Sequence, residues 1–287
     1  MNLGAIMVDG AFVHEDDAVF GLLDRTTLHG DSVFTVLRAY GGRVFALEEH
    51  LGRLQQSARA IARVFPCSVG TLAAEVRACV AAVSALDVQV RVLLSRGVGP
   101  QGLSLRGVQG GSRVVVAQPY EAPAVIQYAQ GIRAALVEWG VSGIMADLAR
   151  AKTGNYLGRV MALHQAQARG FDEALLVDSQ GLVWEASAAN VFARLGDELV
   201  TPPLAGPILP GITRWHVLDI AREQGLKVSE RELSSHALFE ASEVFVTSSL
   251  REVMAISAVD EHIVGDGRAG TWAERLRESL RARAGAN

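Results

Sequence analysis

Lysine is the scarce cation in this chain: all but Lys152 and Lys227 of its 27 basic residues are arginine. A guanidinium stays protonated in proteins, whereas a buried lysine amine can lose its proton and act as a base or as a nucleophile toward a carbonyl carbon. Lys227 lies in Gly225-Leu-Lys-Val-Ser-Glu-Arg-Glu232, where apolar and polar residues alternate, and reads as an exposed strand position. Lys152, in Met145-Ala-Asp-Leu-Ala-Arg-Ala-Lys-Thr-Gly-Asn-Tyr156, precedes a helical pattern at Leu157, Val160, Met161, His164 and Ala168. Two readings stand for it: a reactive amine, or a surface cation near a helix start, where the helix dipole slightly disfavours it.

Other residues suit an anion or a protonated ring nitrogen. Glu185 stands between large apolar residues and a run of small ones, where a buried carboxylate needs a partner such as a protonated ring nitrogen; an outward strand position is the alternative. In Ile208-Leu-Pro-Gly-Ile-Thr-Arg214 a Pro-Gly turn precedes an apolar-periodic helix. The amides of Ile212 and Thr213 and the Thr213 hydroxyl can then donate to phosphate, or Thr213 simply caps the helix. Thr247-Ser-Ser249 ends a strand with three hydroxyls, and Arg53 offers a two-pronged grip on phosphate. These too have ordinary readings, as turn formers and as a solvated helix flank or a partner of Glu49. Gly97-Val-Gly-Pro-Gln-Gly102 matches the dinucleotide fingerprint, but the segment after it cannot open the helix that would hold a pyrophosphate. His29, His50 and His164 read as packing or network residues, and neither HExxH nor GxSxG occurs, so no metal is expected.

The elements that must position these groups alternate in type. Strand patterns cover Ala5 to Val8, Ala11 to Val13 and Ser32 to Tyr40, the last turning at Gly41-Gly42 into Arg43-Val-Phe-Ala. Leu47, Leu51, Leu54, Ala58 and Ile61 form one helical stripe, with Arg53 projecting from the other side. A helix over about 70–84 and strands at Val88 to Ser95 and Ser112 to Ala117 complete an α/β first half. Gln118-Pro-Tyr-Glu-Ala-Pro-Ala124 reads as a linker, giving domains 1–119 and 120–287. The second half reads as strands at 132–137 and 173–177, a return strand carrying Trp184-Glu185, and strands at 190–195, 198–201 and 244–247, with helices after Lys152, over about 212–224 and at the C-terminal end.

Composition narrows the function class. A chain of 287 residues is long enough for two domains, and 49% apolar with 20% charged residues is a globular balance. The 27 basic and 31 acidic residues are scattered, without the footprint of a nucleic-acid or anionic-membrane binder, so a small-molecule partner is expected. Cys67 and Cys79 form no CxxC, which fits a reducing compartment. Met1 to Asp9 lacks a leader pattern, and no apolar run approaches the roughly 18 residues of a membrane span, so a cytoplasmic protein is expected.

Taken in order, six motifs resemble the fold-type IV pyridoxal-phosphate enzymes, which include branched-chain and D-amino-acid aminotransferases and aminodeoxychorismate lyases. They are Leu23-Asp-Arg-Thr-Thr-Leu-His-Gly-Asp-Ser-Val-Phe34, Glu49-His-Leu-Gly-Arg-Leu54, Ala151-Lys-Thr-Gly-Asn-Tyr-Leu157, Glu185-Ala-Ser-Ala-Ala-Asn-Val-Phe192, Ile208-Leu-Pro-Gly-Ile-Thr-Arg214 and Glu243-Val-Phe-Val-Thr-Ser-Ser249. The resemblance implies a small N-terminal α/β domain, a larger C-terminal barrel-like α/β domain, and a homodimer with pyridoxal 5'-phosphate as cofactor. It implies that Lys152 bonds covalently to the cofactor and moves the substrate's α-proton, that Glu185 holds the ring nitrogen, and that Tyr156 touches the ring hydroxyl with Leu209 beneath the ring. Phosphate would fall to Arg53, Ile212, Thr213, Ser248 and Ser249. The D-amino-acid enzymes' carboxylate trap is missing, since Gln101 and Leu103 occupy its positions, and Phe34 replaces a pocket tyrosine. His29, Arg38 and Arg96 remain as carboxylate contacts. The implied activity is transfer of an amino group from an amino acid or amine to a 2-oxo acid; the alternative is aminodeoxychorismate lysis. A cofactor-binding carrier and a nicotinamide oxidoreductase are the more distant readings.

Overall fold

A computed structural model describes residues 4–286, so the first three residues of the Met1 to Asp9 stretch lie outside it. The chain divides into two compact units, Met1–Glu121 with Ala151–Asn155, and Ala122–Arg150 with Tyr156–Asn287. A linear division at 119/120 has no place for the return of Ala151–Asn155 to the first unit, and that short segment carries Lys152.

In the first unit, strands β1 (Ala5–Val8) and β2 (Ala11–Val13) lead through helix α1 (Arg25–His29) to β3 (Ser32–Tyr40) and β4 (Arg43–Val44). Helices α2 (Leu47–Ala60) and α3 (Val69–Ala81) and strands β5 (Asp87–Ser95) and β6 (Arg113–Pro119) complete it. The strands form one antiparallel sheet in the order β2-β1-β6-β5-β3-β4. Alternation decides its faces: Val88, Val90, Val92 and Leu94 are fully buried in one core with Leu51, Leu54, Leu72 and Val76 from α2 and α3. Val33, Leu37 and Ala39 join that core from β3, so Phe34 and Arg38 point to the opposite face.

The second unit runs through α4 (Val125–Gln130), β7 (Ile132–Glu138), α5 (Ile144–Ala149), α6 (Leu157–Ala168), β8 (Glu173–Val177) and β9 (Val183–Ala186). It continues with β10 (Asn190–Leu195), β11 (Glu198–Thr201), α7 (Ile212–Glu223), β12 (Lys227–Glu230) and α8 (Ser235–Phe239). Strands β13 (Glu243–Ser248), β14 (Glu252–Val259) and β15 (His262–Ile263) and helix α9 (Thr271–Ala284) close it. Its mixed sheet has the order β12-β11-β10-β13-β14-β7-β8-β9, with β15 on β14. Two sheets with helices bear out the α/β class. Among the described residues no helix is long and apolar enough to cross a membrane.

The larger apolar residues of the helical pattern on α6 face outward. Leu157, Val160 and Met161 are exposed, whereas Ala162 and Ala166 pack with Ala135, Val137, Phe171, Ala174 and Leu176 of the sheet. Small alanines bring the helix close to the strands, and the longer apolar side chains are left on its far side.

Candidate active site

Lys152 is pinned by its backbone. Its amide donates to Ser57 Oγ at 3.1 Å, its carbonyl accepts from the Phe34 amide at 2.9 Å, and Thr153 bridges Val33 as a short antiparallel extension of β3. Gly154 permits this approach: a Cβ there would lie 2.3 Å from Ser32 Oγ and 2.9 Å from the Gly30 carbonyl oxygen. The Lys152 ammonium lies 4.7 Å from the centre of the Phe34 ring, which sets the lysine against a side chain expected to serve the substrate.

On the helix-covered face of the same unit, His50, Arg53 and Ser57 follow one another at helical spacing along α2. Arg53, read either as a grip on phosphate or as a solvated flank of the helix, is buried, and its Nη2 donates to Thr35 Oγ1 at 3.1 Å. The same hydroxyl lies 2.9 Å from His50 Nδ1. A hydroxyl on β3 under the helix gives the guanidinium a polar landing point, which the sequence periodicity of α2 alone does not display.

Arg38 and Arg96 are both buried and ion-paired. Arg38, 2% exposed, is ion-paired to Asp87 and lies over the rings of Tyr40 and Tyr120 at 4.4 and 4.8 Å. Arg96 is committed to Asp31 Oδ1 at 2.9 Å and to the carbonyls of Ala62 and Ile61 at 3.0 and 2.5 Å. Both guanidiniums have internal partners in the first unit. His29 ends α1 and is exposed, as is Gln101 in the loop between β5 and β6. No helix follows Gly97 to Gly102; that loop instead pairs Val98 with Gln109 and with Asp24.

The second unit carries the remaining groups. Glu185 on β9 pairs with Leu176 of β8 and so shares the face covered by α6. It is 3% exposed, with Oε1 accepting from Arg159 Nη2 at 2.5 Å and Oε2 from the Leu209 amide at 3.2 Å. Arg159 went unnoticed in the sequence because it sits one residue off the apolar stripe; its spacing of three and seven from the buried Ala162 and Ala166 is the signal that places it inward. Burial works against the charge of Arg159, but Glu185 and Tyr156 outweigh it and hold the guanidinium above its ordinary range. Tyr156 is half-buried at the start of α6, its ring centre 5.7 Å from the Arg159 guanidinium.

Around the start of α7 the donors cluster. Gly211 is the N-cap and no side chain caps the helix, which leaves the first-turn amides of Ile212 and Thr213 to other acceptors. Leu209 is held from both sides, its amide on Glu185 and its carbonyl accepting from Asn190 Nδ2 at 2.9 Å. Asn190 is register partner to Thr247 of β13. The Thr247 hydroxyl is buried and has no hydrogen-bond partner among the described residues, a state that costs about 1–3 kcal/mol unless a ligand fills it. Ser248 and Ser249 follow, half-buried; Ser248 Oγ accepts from the Arg251 amide at 3.3 Å, as a turn former does.

Comparison with known proteins bears on this arrangement. The family model described as amino-transferase class IV matches residues 32–259. A Methanocaldococcus jannaschii chain provisionally named a branched-chain-amino-acid aminotransferase is 34% identical over 278 residues, covering 96% of this chain and 95% of that one. The D-alanine aminotransferase of Bacillus licheniformis is 30% identical over 282 residues, covering 96% and 95%. Among solved structures, a branched-chain amino acid aminotransferase with pyridoxamine 5'-phosphate, from the organism abbreviated T.th., superposes with a TM-score of 0.92 at 30% identity, covering 99% of this chain and 95% of that chain.

Proposed function

The chain belongs to the class IV aminotransferases, and from that premise we propose that it transfers an amino group from an amino acid or amine to a 2-oxo acid, using pyridoxal 5'-phosphate. The residues present fit that cofactor. The orphaned Thr247 hydroxyl and the uncapped turn at Ile212 and Thr213 are donors in want of an anion, and Glu185 is a buried carboxylate suited to a protonated ring nitrogen. The cofactor supplies an aldehyde carbon and an electron-withdrawing ring that accepts the electron pair left as a donor's α-proton departs.

Lys152 anchors the cofactor and, once displaced, carries the α-proton on Nζ, two tasks one neutral amine can perform in turn. Thr213, Thr247, Ser248, Ser249, Arg53 and the Ile212 amide bind the phosphate, Tyr156 contacts the ring hydroxyl, and Leu209 supports the ring. Phe34, His29 and Gln101 serve the substrate. The reading is carried by Lys152: of two lysines it is the half-buried one, fixed by backbone bonds to β3 and α2, whereas Lys227 is exposed. Borohydride reduction of the holoenzyme is expected to fix the cofactor on the peptide containing Lys152, and Lys152→Ala to lower amino transfer at least about 10³-fold. Labelling elsewhere, or turnover at the original rate, overturns the assignment.

The lyase alternative is not favoured, since the relatives above carry aminotransferase names. A donor supplied without acceptor is expected to convert the cofactor stoichiometrically to its pyridoxamine form; pyruvate release from aminodeoxychorismate would reverse that preference. A homodimer is supported by apolar residues left exposed on each unit, Val19, Leu22 and Leu23 on the first and Leu157, Val160 and Met161 on the second. Light scattering should report about twice the 30.6 kDa chain mass. The two free cysteines support a reducing, cytoplasmic setting.

A further inference from the structure

The roles assigned above leave Arg159 unexplained, yet it is built into the second unit with care. It occupies the inward face of α6, in line with Ala162 and Ala166. Besides the bond to Glu185, its Nη1 donates to the carbonyls of Ala186 and Ser187, both at 3.3 Å. Its guanidinium lies 5.8 Å from the Trp139 ring centre, and Gly158, just before it, accepts that indole where a Cβ would come within 2.6 Å of a ring carbon. Aromatic rings, two backbone carbonyls and a carboxylate hold one cation in one place.

Resting on the assignment of Glu185 to the ring nitrogen, we infer that Arg159 is a positioning residue that acts through Glu185 to set how tightly the cofactor's ring nitrogen holds its proton. Each carboxylate oxygen can accept two hydrogen bonds, so the bonds from Arg159 to Oε1 and from the Leu209 amide to Oε2 are compatible with one from a ring N–H. Glu185 and the ring nitrogen share one proton as a coupled pair. A fixed cation beside the pair makes adding that proton less favourable, whichever of the two atoms carries it. Without Arg159, a carboxylate this deeply buried would draw the proton more strongly, because desolvation penalises its bare charge. Arg159 therefore keeps Glu185 ionised and loosens its hold on the ring proton.

The other groups around the pair do not reverse this sign. The Tyr156 phenol faces Arg159 from the start of the same helix. On β8, Glu173 is neutralised by Arg251 at 2.5 Å and accepts from Ser187 Oγ. Asp178, in the turn between β8 and β9, accepts from the Trp184 indole and the Gln180 and Leu182 amides.

The test is a ring titration that does not read turnover. Holoenzyme carrying pyridoxal phosphate with ¹⁵N in the ring is followed by NMR from about pH 6 to about pH 10. The native protein is expected to lose the ring proton at least about one pH unit below Arg159→Met, a tenfold difference in proton affinity, with Arg159→Lys close to native. Arg159→Gln removes the charge but keeps donors for the Ala186 and Ser187 carbonyls; it is expected to behave as the methionine variant does and stands in for it if that variant does not fold. A purely structural role would lower thermal stability in the variants and leave the ring titration in place. Coincident titrations, the opposite order, or a native ring proton retained across the whole range overturns the inference. If the native protein takes no cofactor onto Lys152, the aminotransferase assignment fails instead.

Discussion

Gly211→Ala tests the anchoring of the α7 start. The residue has φ −69° and ψ 133°, an ordinary extended conformation, so the backbone itself would admit alanine. The obstacle is Asn190: a Cβ at position 211 would stand 2.0 Å from Asn190 Oδ1 and 3.2 Å from the Cβ of Arg214. Asn190 must swing away, and its Nδ2 bond to the Leu209 carbonyl is lost. Unpairing the buried Asn190 amide costs about 1–3 kcal/mol and unpairing the part-buried Leu209 carbonyl about 1 kcal/mol, so the substitution is expected to cost about 2–4 kcal/mol in total. For a unit of this size that lowers the melting temperature by about 5–15 °C. Asn190→Ala alone is expected to cost about 1–3 kcal/mol, and adding Gly211→Ala to it less than about 1 more, because the obstructing oxygen is gone. Thermal unfolding of the four proteins without cofactor measures the coupling. Additivity within about 0.5 kcal/mol, or a Gly211→Ala protein that melts like the native one, would refute the steric argument.

Thiol reactivity should separate the two cysteines. Burial, reinforced by Glu75, pushes the Cys79 thiol up to about 11, so iodoacetamide at about pH 8 should label Cys67 and spare Cys79 until the protein is denatured; native labelling of Cys79 on mass spectrometry contradicts this. The Asp178 carboxyl is raised by burial but lowered more by its bonds from the Leu182 amide, the Trp184 indole and the Gln180 amide, for a net shift below its ordinary value. Its contribution to stability is therefore complete above about pH 4 and lost as pH falls through the depressed value. The melting-temperature gap between native and Asp178→Asn protein should be widest near neutrality and close in acid; a gap that grows in acid contradicts the sign.

Alternation made most strands legible, because each places a buried residue at every second position, as Val88 to Leu94 do. Strand β14 is buried almost throughout, as β3, β8 and β13 are, but its run mixes alanine, methionine and serine with the β-branched residues and so carries a weaker strand signal than theirs. Helix α1, at five residues, is too short to display a helical period at all. On α6 the leucine, valine and methionine mark the helix, but alanines make the contact with the sheet. The candidate site shows the same division between local and distant information. Lys152 and Glu185 stood out by type and surroundings, while Arg38 and Arg96 looked available only because their partners, Asp87 and Asp31, lie 49 and 65 residues away. The burial of Arg53 was not legible because nothing near it in sequence reveals Thr35, eighteen residues before it, beneath the helix.

The return of Ala151–Asn155 to the first unit means that Lys152 is borrowed from the middle of the other half's sequence. Neither half is a contiguous stretch of gene. A fragment ending at Glu121 would be made without the strip that hydrogen-bonds to Phe34 and Ser57, and a swap of the remainder with that of a cousin enzyme would import a foreign lysine strip into the native sheet. Such a chimaera has to match its new strip to Ser32 and Gly30 as well as to its own core, which ties the inheritance of the two halves together.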